Sequence, residues 1–559
     1  MATHLTENPR PQLRREGYIC LNGTWEYAIS KNVDIPIFFD GKIHVPYSPE
    51  TPLSGLNRNI KPDEWLFYRK QLEIPNGFIK DKVILHFGAV DQIAEVFIND
   101  VFVGKHVGGY LPFSFDITNF LKKKNNILVV RVKDFSDTSY YSRGKQKTKR
   151  GNIWYTPQSG IYMPVWMESV SDDYIQNIKM TPDLPHNSLK IIVYTDAKSV
   201  KCELNGKTIN LKPNEENLIP IKNPHLWSPE DPYLYYFTLQ TRHDKIQSYF
   251  AMREISVEEF DGIKRICLNG RPYFIKGILD QGYYRDGFLT PSADADYIND
   301  IMFVKEMGFN TIRKHIKIES LRWYYHCDRL GVLVWQDFVN GGEKYNPIAI
   351  SAPLIFNSHA KDNKYKKLGR ASEQGRREAE KEFVDTINLL YNTPSIVLWT
   401  IFNEGWGQFD AKRIYEKLKK IDNTRLYDHA SGWLDQGVSD VKSVHCYFKR
   451  FKMPKPKDIK SRAVILSECG GYSLKIPGHT FNNTNFGYKK MKDKNELLKE
   501  YQQLVDLDIK PNIHNGLCAF IYTQLSDVED ELNGFVTYDR KVEKIDKKKI
   551  KLINDSIKY

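Results

Sequence analysis

Paired cysteines are missing from this sequence. Cys20, Cys202, Cys267, Cys327, Cys446, Cys469 and Cys518 stand singly, with no Cys-x-x-Cys pair. Such an odd, scattered set excludes a disulfide framework and the usual zinc spacings and points to reduced thiols. Long apolar runs are missing too. The most hydrophobic stretch, residues 395–402, runs into Asn403 and Glu404 well short of the roughly 18 apolar residues that a membrane-spanning helix needs. Residues 1–17 carry Arg10, Arg14 and Arg15 with no apolar run behind them, so no secretory signal is expected and a cytoplasmic location follows. Nor does a nucleic-acid motif accompany the formal charge of +12. The basic clusters at 143–150, 449–462 and 541–558 are diluted by 69 acidic residues and read as solvated surface, so neither a nucleic-acid nor a membrane partner is expected.

What is present is a globular mixture. Hydrophobic residues make up 41% and charged residues 27%, which excludes wholesale disorder. The 559 residues suit three or four domains at about 150 each, or fewer if one is a barrel.

Up to about residue 280 the apolar spacing is two, the period of half-buried strands, as in Val83, Leu85 and Phe87 or Leu189, Ile191 and Val193. Asn22-Gly23, Asn99-Asp100, Asn205-Gly206 and Asn269-Gly270 sit between such runs and predict tight turns, because these residues tolerate positive φ. The polar Ser171-Asp172-Asp173 marks a break, giving a first module over 1–170 and a second over 171–257 with the size of an immunoglobulin-like sandwich.

Beyond residue 290 the pattern alternates between strand and helix. Thr290 and Pro291 read as a helix N-cap and first turn, and Ser320 as the start of another helix. Strands are predicted at 273–277, 310–314, 332–336 and 396–402, near 426, 444 and 464, and at 517–522, with short or missing helices between the fifth, sixth and seventh. Eight parallel-type strands in about 300 residues predict a (β/α)₈ barrel over 258–559.

Barrels carry their chemistry at the C-terminal ends of their strands. The fourth strand runs into Asn403-Glu404 and the seventh into Glu468, and each glutamate precedes a glycine-containing turn, at Gly405 and at Gly470-Gly471. Two carboxylates held at one rim suit retaining glycoside hydrolysis, in which one protonates the leaving oxygen and the other attacks the anomeric carbon from about 5 to 5.5 Å away. A lone glutamate after an apolar strand is more often surface; the pair is what carries the argument.

The segment Asn392-Thr393-Pro394-Ser395-Ile396-Val397-Leu398-Trp399-Thr400-Ile401-Phe402-Asn403-Glu404-Gly405-Trp406 resembles the acid/base signature of glycoside hydrolase family 2. Leu21-Asn22-Gly23-Thr24-Trp25, Gly108-Gly109-Tyr110-Leu111-Pro112-Phe113 and Ser159-Gly160-Ile161-Tyr162-Met163-Pro164-Val165-Trp166 are similar to its sugar-binding jelly roll. Gly308-Phe309-Asn310-Thr311-Ile312-Arg313-Lys314-His315 and Cys327-Asp328-Arg329-Leu330-Gly331-Val332-Leu333-Val334 are similar to its second and third barrel strands.

The resemblance implies an N-terminal jelly roll, an immunoglobulin-like sandwich and a TIM barrel, with Glu404 as acid/base and Glu468 as nucleophile. It further implies that Asn403 binds the sugar 2-hydroxyl, that Arg313 and Tyr447 hold Glu468 ionised, and that His315, Trp406 and Trp433 contact substrate. No cofactor or metal is expected; the partner is a carbohydrate, and a homo-oligomer is compatible with the reading. The glucuronidases of the family carry an Asn-x-Lys element, whereas Asn533-Gly534-Phe535 lacks the lysine, so an exo-acting retaining β-galactosidase is expected ahead of a β-glucuronidase. Lys489 or Lys490 is the candidate substitute cation. A transglycosylase, a catalytically silent carbohydrate-binding protein and a thiol nucleophile at Cys469 are the rivals.

Overall fold

The computed structural model describes residues 5–346, 361–484 and 486–559. The first module is a sandwich of two antiparallel sheets. Tyr18–Cys20, Val165–Val170, Lys82–Phe87 and Phe113–Asp116 form one; Gly41–Val45, Gly23–Ser30, Trp65–Leu72, Asn126–Lys133, Ile93–Ile98 and Val101–Val107 form the other. Alternate residues such as Val83, Leu85, Phe87, Val96 and Val130 meet in a common core with Trp25, as the period of two requires. The second module is a smaller sandwich. It packs Ile175–Asp183, Ser188–Thr195 and Glu216–Pro220 against Lys207–Leu211, Val200–Leu204, Tyr235–Gln240 and Lys245–Phe250. The buried Arg15 ties the two together, with Nη1 2.6 Å from Glu168 and Nη2 3.0 Å from Asp244.

Three of the four predicted turns close hairpins: Asn99-Asp100, Asn205-Gly206 and Asn269-Gly270 all have positive φ and join paired neighbours. Asn22-Gly23 does not. The chain crosses there from one sheet of the first sandwich to the other, because Tyr18–Cys20 pairs with Val165–Val170 while Gly23–Ser30 pairs with Gly41–Val45 and Trp65–Leu72.

The third module is a barrel of eight parallel strands: one, Ile275–Asp280; two, Thr311–Lys314; three, Leu333–Asp337; four, Ile396–Thr400; five, Leu426–Asp428; six, Val441–Cys446; seven, Ala463–Gly470; eight, Leu517–Thr523. They pair in the order five-four-three-two-one-eight-seven-six. The hairpin of Ile255–Phe260 and Ile263–Leu268 packs Ile266 and Leu268 against inward-facing Ile275, Leu333, Val397 and Ile465, while Ile312, Val334, Ile396 and Leu466 pack outward on the helices. Among the described residues no helix lies between strands five and six, and only Pro456–Ile459 lies between six and seven.

One predicted cap is misplaced. The helix after strand one is Asp294–Glu306, and its first turn is closed by Asp296, which accepts from Ala293 N–H at 3.0 Å. Thr290 instead donates its hydroxyl to the Tyr162 carbonyl. Ser320 does cap Leu321–Leu330, accepting from Arg322 N–H.

The first sandwich also reaches the barrel's C-terminal rim. Arg143 N–H donates to the Gly341 carbonyl, Arg150 pairs with Glu529 at 2.9 Å, and the Tyr155 hydroxyl donates to Glu531. Part of the basic cluster at 143–150, expected to be solvated, is therefore buried, Arg143 and Lys145 included. Close approach of the loop to the barrel covers residues 143–146.

Candidate active site

Strand seven positions Glu468 by a local irregularity. Leu466 pairs with Phe520 and Cys469 with Tyr522, three steps against two, so one extra residue is inserted at Ser467-Glu468. The same insertion appears against strand six, where Val444 meets Leu466 and His445 meets Glu468. Strict alternation would turn Glu468 outward; the bulge re-aims it into the barrel mouth. Cys469 then faces out among the helices, fully buried, and burial pushes its thiol well above the ordinary range, which removes the thiol-nucleophile reading.

The Glu468 carboxylate is closely held. Oε1 lies 3.1 Å from Arg313 Nη1 and 3.6 Å from His445 Nε2, and Oε2 accepts from the Tyr447 hydroxyl. Arg313 has no exposure and is itself fixed: Nε and Nη2 each donate to Asp337 at 3.0 Å, and Nη2 also donates to Asn403 Oδ1 at 2.9 Å. Asp337, at the end of strand three, also bonds His315 Nδ1 at 2.7 Å. Burial alone would raise the Glu468 carboxyl. The surrounding His445, Arg313 and His315 and the Tyr447 hydrogen bond reverse that and hold it well below the usual carboxylate range.

Glu404 follows strand four in the left-handed region, with φ of 54°. Such a conformation costs a non-glycine residue about 1–2 kcal/mol and is sustained here by a short extension of the ladder, Glu404 N–H to the Ser431 carbonyl at 2.9 Å and Ser431 N–H to Phe402 at 2.8 Å. The strain turns the carboxyl towards the barrel axis, where Oε1 lies 3.0 Å from His445 Nδ1. Ligand-type atoms of Glu404, His445 and Glu468 all lie within 4.8 Å of one another. Although these are metal-ligand types, Arg313 and Tyr447 already occupy Glu468, so the cluster is satisfied as a hydrogen-bonded one.

The structure brings the remaining candidates to the same mouth. Asn403 has its amide oxygen on Arg313, which leaves Nδ2 buried and without a partner among the described residues, available to a ligand oxygen. Trp406 is buried, 5.2 Å from Trp154 of the first sandwich. Trp433 is half-buried, edge-on to His445 at 5.5 Å, and its Nε1 also lacks a partner. Tyr447 stacks on Tyr488 at 3.9 Å. Lys489 and Lys490 are exposed, and Lys489 pairs with Glu500 at 2.6 Å. Asn533 is spent on Gln524 and Glu531.

Sequence reasoning missed His445 and Asp337. His445 was within reach: it stands two residues before Tyr447, so strand alternation already placed both on one face. Asp337 ends a barrel strand as Glu404 and Glu468 do.

The sequence matches the sugar binding domain of glycosyl hydrolases family 2 over residues 13–169, the family's middle domain over 174–253 and its TIM barrel domain over 261–554. It is 25% identical over 421 residues to a beta-galactosidase of Thermoanaerobacter pseudethanolicus, covering 69% of this chain and 52% of that protein. It is also 25% identical over 432 residues to a beta-glucuronidase of Streptococcus agalactiae, covering 72% and 69%. The chain spans about half the length of the first curated relatives it matches. In fold it is similar to the beta-D-glucuronidase of Dictyoglomus thermophilum, with a TM-score of 0.75, 18% identity and 97% of each chain covered. A beta-galacturonidase of Eisenbergiella tayi bound to galacturonate gives a TM-score of 0.69 at 19% identity, covering 96% of each chain.

Proposed function

Because the chain belongs to glycosyl hydrolases family 2, we propose that it is an exo-acting retaining β-glycosidase working by double displacement. The observation that carries this reading is the spacing of the two carboxyls, which present oxygens within 4.8 Å of each other across His445. Retaining enzymes hold their carboxyls about 5–5.5 Å apart, whereas inverting ones leave about 6.5–9.5 Å for a water.

In this mechanism Glu404 protonates the glycosidic oxygen while ionised Glu468 attacks the anomeric carbon, and the aglycone departs. The glycosyl ester on Glu468 is then cleaved by a water whose proton passes to Glu404. Arg313 and Tyr447 keep Glu468 charged until attack, and the free Asn403 Nδ2 donates to the sugar 2-hydroxyl as positive charge develops on the ring.

The relatives' names include both beta-galactosidases and beta-glucuronidases, so the sugar is a separate question. A neutral β-galactoside is the reading drawn from the missing lysine after Asn533. A second reading, an anionic sugar, is favoured by Lys145, a cation of the 143–150 loop that lies 5.7 Å from the Trp406 ring. The test of the mechanism is the anomer released first from an aryl β-glycoside, followed by proton NMR. The β-anomer supports double displacement, and the α-anomer excludes it.

A further inference from the structure

Lys145 is 8% exposed, yet its ammonium makes no hydrogen bond or ion pair among the described residues. Its nearest recorded contacts are two aromatic faces, Trp406 at 5.7 Å and Tyr155 at 5.8 Å. The stretches outside the described residues, 1–4, 347–360 and 485, contain no aspartate or glutamate to pair with it. The stem of the side chain is buried while Nζ keeps some contact with solvent, and cation–π contacts near 6 Å are weak, so the ammonium is left open to an anionic partner. The position is nonetheless firmly built. Tyr155 N–H donates to the Lys145 carbonyl at 2.9 Å and Lys147 N–H to the Tyr155 carbonyl at 3.0 Å. Gly144 lies so close to the Ile316 carbonyl that an added Cβ would stand 3.0 Å from it.

The location is the catalytic rim. Trp406 follows Glu404 by two residues, and His315, the neighbour of Ile316, bonds the Asp337 that clamps Arg313. Burial lowers the His315 imidazole below its ordinary value, and the nearby Lys145 charge adds to that. The rest of the loop adds no compensating negative charge at this point. Arg150 is neutralised by Glu529 and Asp530, and Asp137 is engaged by Thr148 N–H at 3.0 Å.

We infer that Lys145 is a specificity-determining residue whose ammonium pairs with an anionic substituent, a carboxylate or a sulfate ester, on the sugar held between Glu404 and Glu468. This rests on the catalytic reading above and selects its acidic-sugar branch. A neutral sugar leaves the ammonium unpaired in the closed site; an acidic one supplies the missing partner and also excludes its water.

The experiment compares kcat/KM of the full chain on aryl β-glucuronide and β-galacturonide, on aryl β-galactoside and β-glucoside, and on sulfated aryl β-galactosides. Wild type is expected to favour a uronide or a sulfated substrate over the matching neutral one by at least a hundredfold, and which arm responds identifies the anion. Lys145→Gln should erase that preference, lowering kcat/KM on the anionic substrate far more than on its neutral counterpart, and Lys145→Arg should restore most of it. Should Lys145→Gln fail to fold, as judged by its melting curve, Lys145→Met takes its place as the uncharged variant, with Lys145→Arg still the rescue. A neutral preference in wild type, or equal losses on both classes in the variant, overturns the proposal. Glycosyl labelling of Glu468 by a 2-deoxy-2-fluoro sugar separates the two failures: labelling with neutral preference defeats only Lys145, whereas turnover without labelling defeats the catalytic reading.

Discussion

Arg313 Nη1 lies 3.1 Å from Glu468 Oε1 with no solvent access to the guanidinium, while its other edge is bonded to Asp337. One cation thus balances two buried carboxylates. Arg313→Ala removes the cation they share, leaving only His315 on Asp337 and Tyr447 and His445 on Glu468, and breaking such a pair costs about 3–5 kcal/mol. Urea denaturation should register a loss of that order together with loss of turnover. Arg313→Lys should be milder in stability but still defective, because a single ammonium does not reproduce the two-pronged contact.

A depressed carboxyl carries a pH signature. Glu468 titrates below its unfolded value of about 4.3, so its stabilising contribution is complete above that pH and is lost as pH falls through the folded value. Unfolding free energy should therefore decline on acidification below about pH 4.3, and Glu468→Gln should flatten part of that slope. The acid limb of kcat/KM should likewise lie below the ordinary glutamate range. Tyr447→Phe removes one donor, so the limb should move to higher pH while kcat/KM falls by an order of magnitude or more. An unmoved limb would show that the hydroxyl does not stabilise the charged form.

Glu404→Ala should discriminate among leaving groups. Substrates with poor leaving groups need the proton and should lose several orders of magnitude in kcat, whereas activated aryl glycosides should lose far less. Comparable losses across a Brønsted series would instead assign Glu404 a structural role.

The fold was largely legible because its signals are periodic. The change from a period of two to alternating strand and helix near residue 290 marks the barrel, and the positive φ preferred by Asn205-Gly206 and Asn269-Gly270 marks their hairpins. Asn22-Gly23 misled because the same turn chemistry serves a crossing between sheets. Within the site, Glu404, Glu468, Asn403 and Arg313 stood out through strand ends and motif resemblance. The bulge that turns Glu468 inward did not, since residues 463–466 before it are apolar on both faces and offer no alternation for an inserted residue to interrupt. Lys145 was hidden for a different reason. Lysine clusters are mostly solvated, and only the packing of the 143–150 loop across the barrel rim reveals that most of this side chain is buried.

Covalent trapping tests the central claim most directly. The full chain is incubated with 2-deoxy-2-fluoro β-galactosyl and β-glucuronyl fluorides and digested, and the modified peptide is sequenced by mass spectrometry. The account predicts a single glycosyl group esterified to Glu468, absent in Glu468→Gln and released on adding an acceptor. Attachment to Glu404 or any other residue, in an enzyme that turns over the parent glycoside, would contradict it.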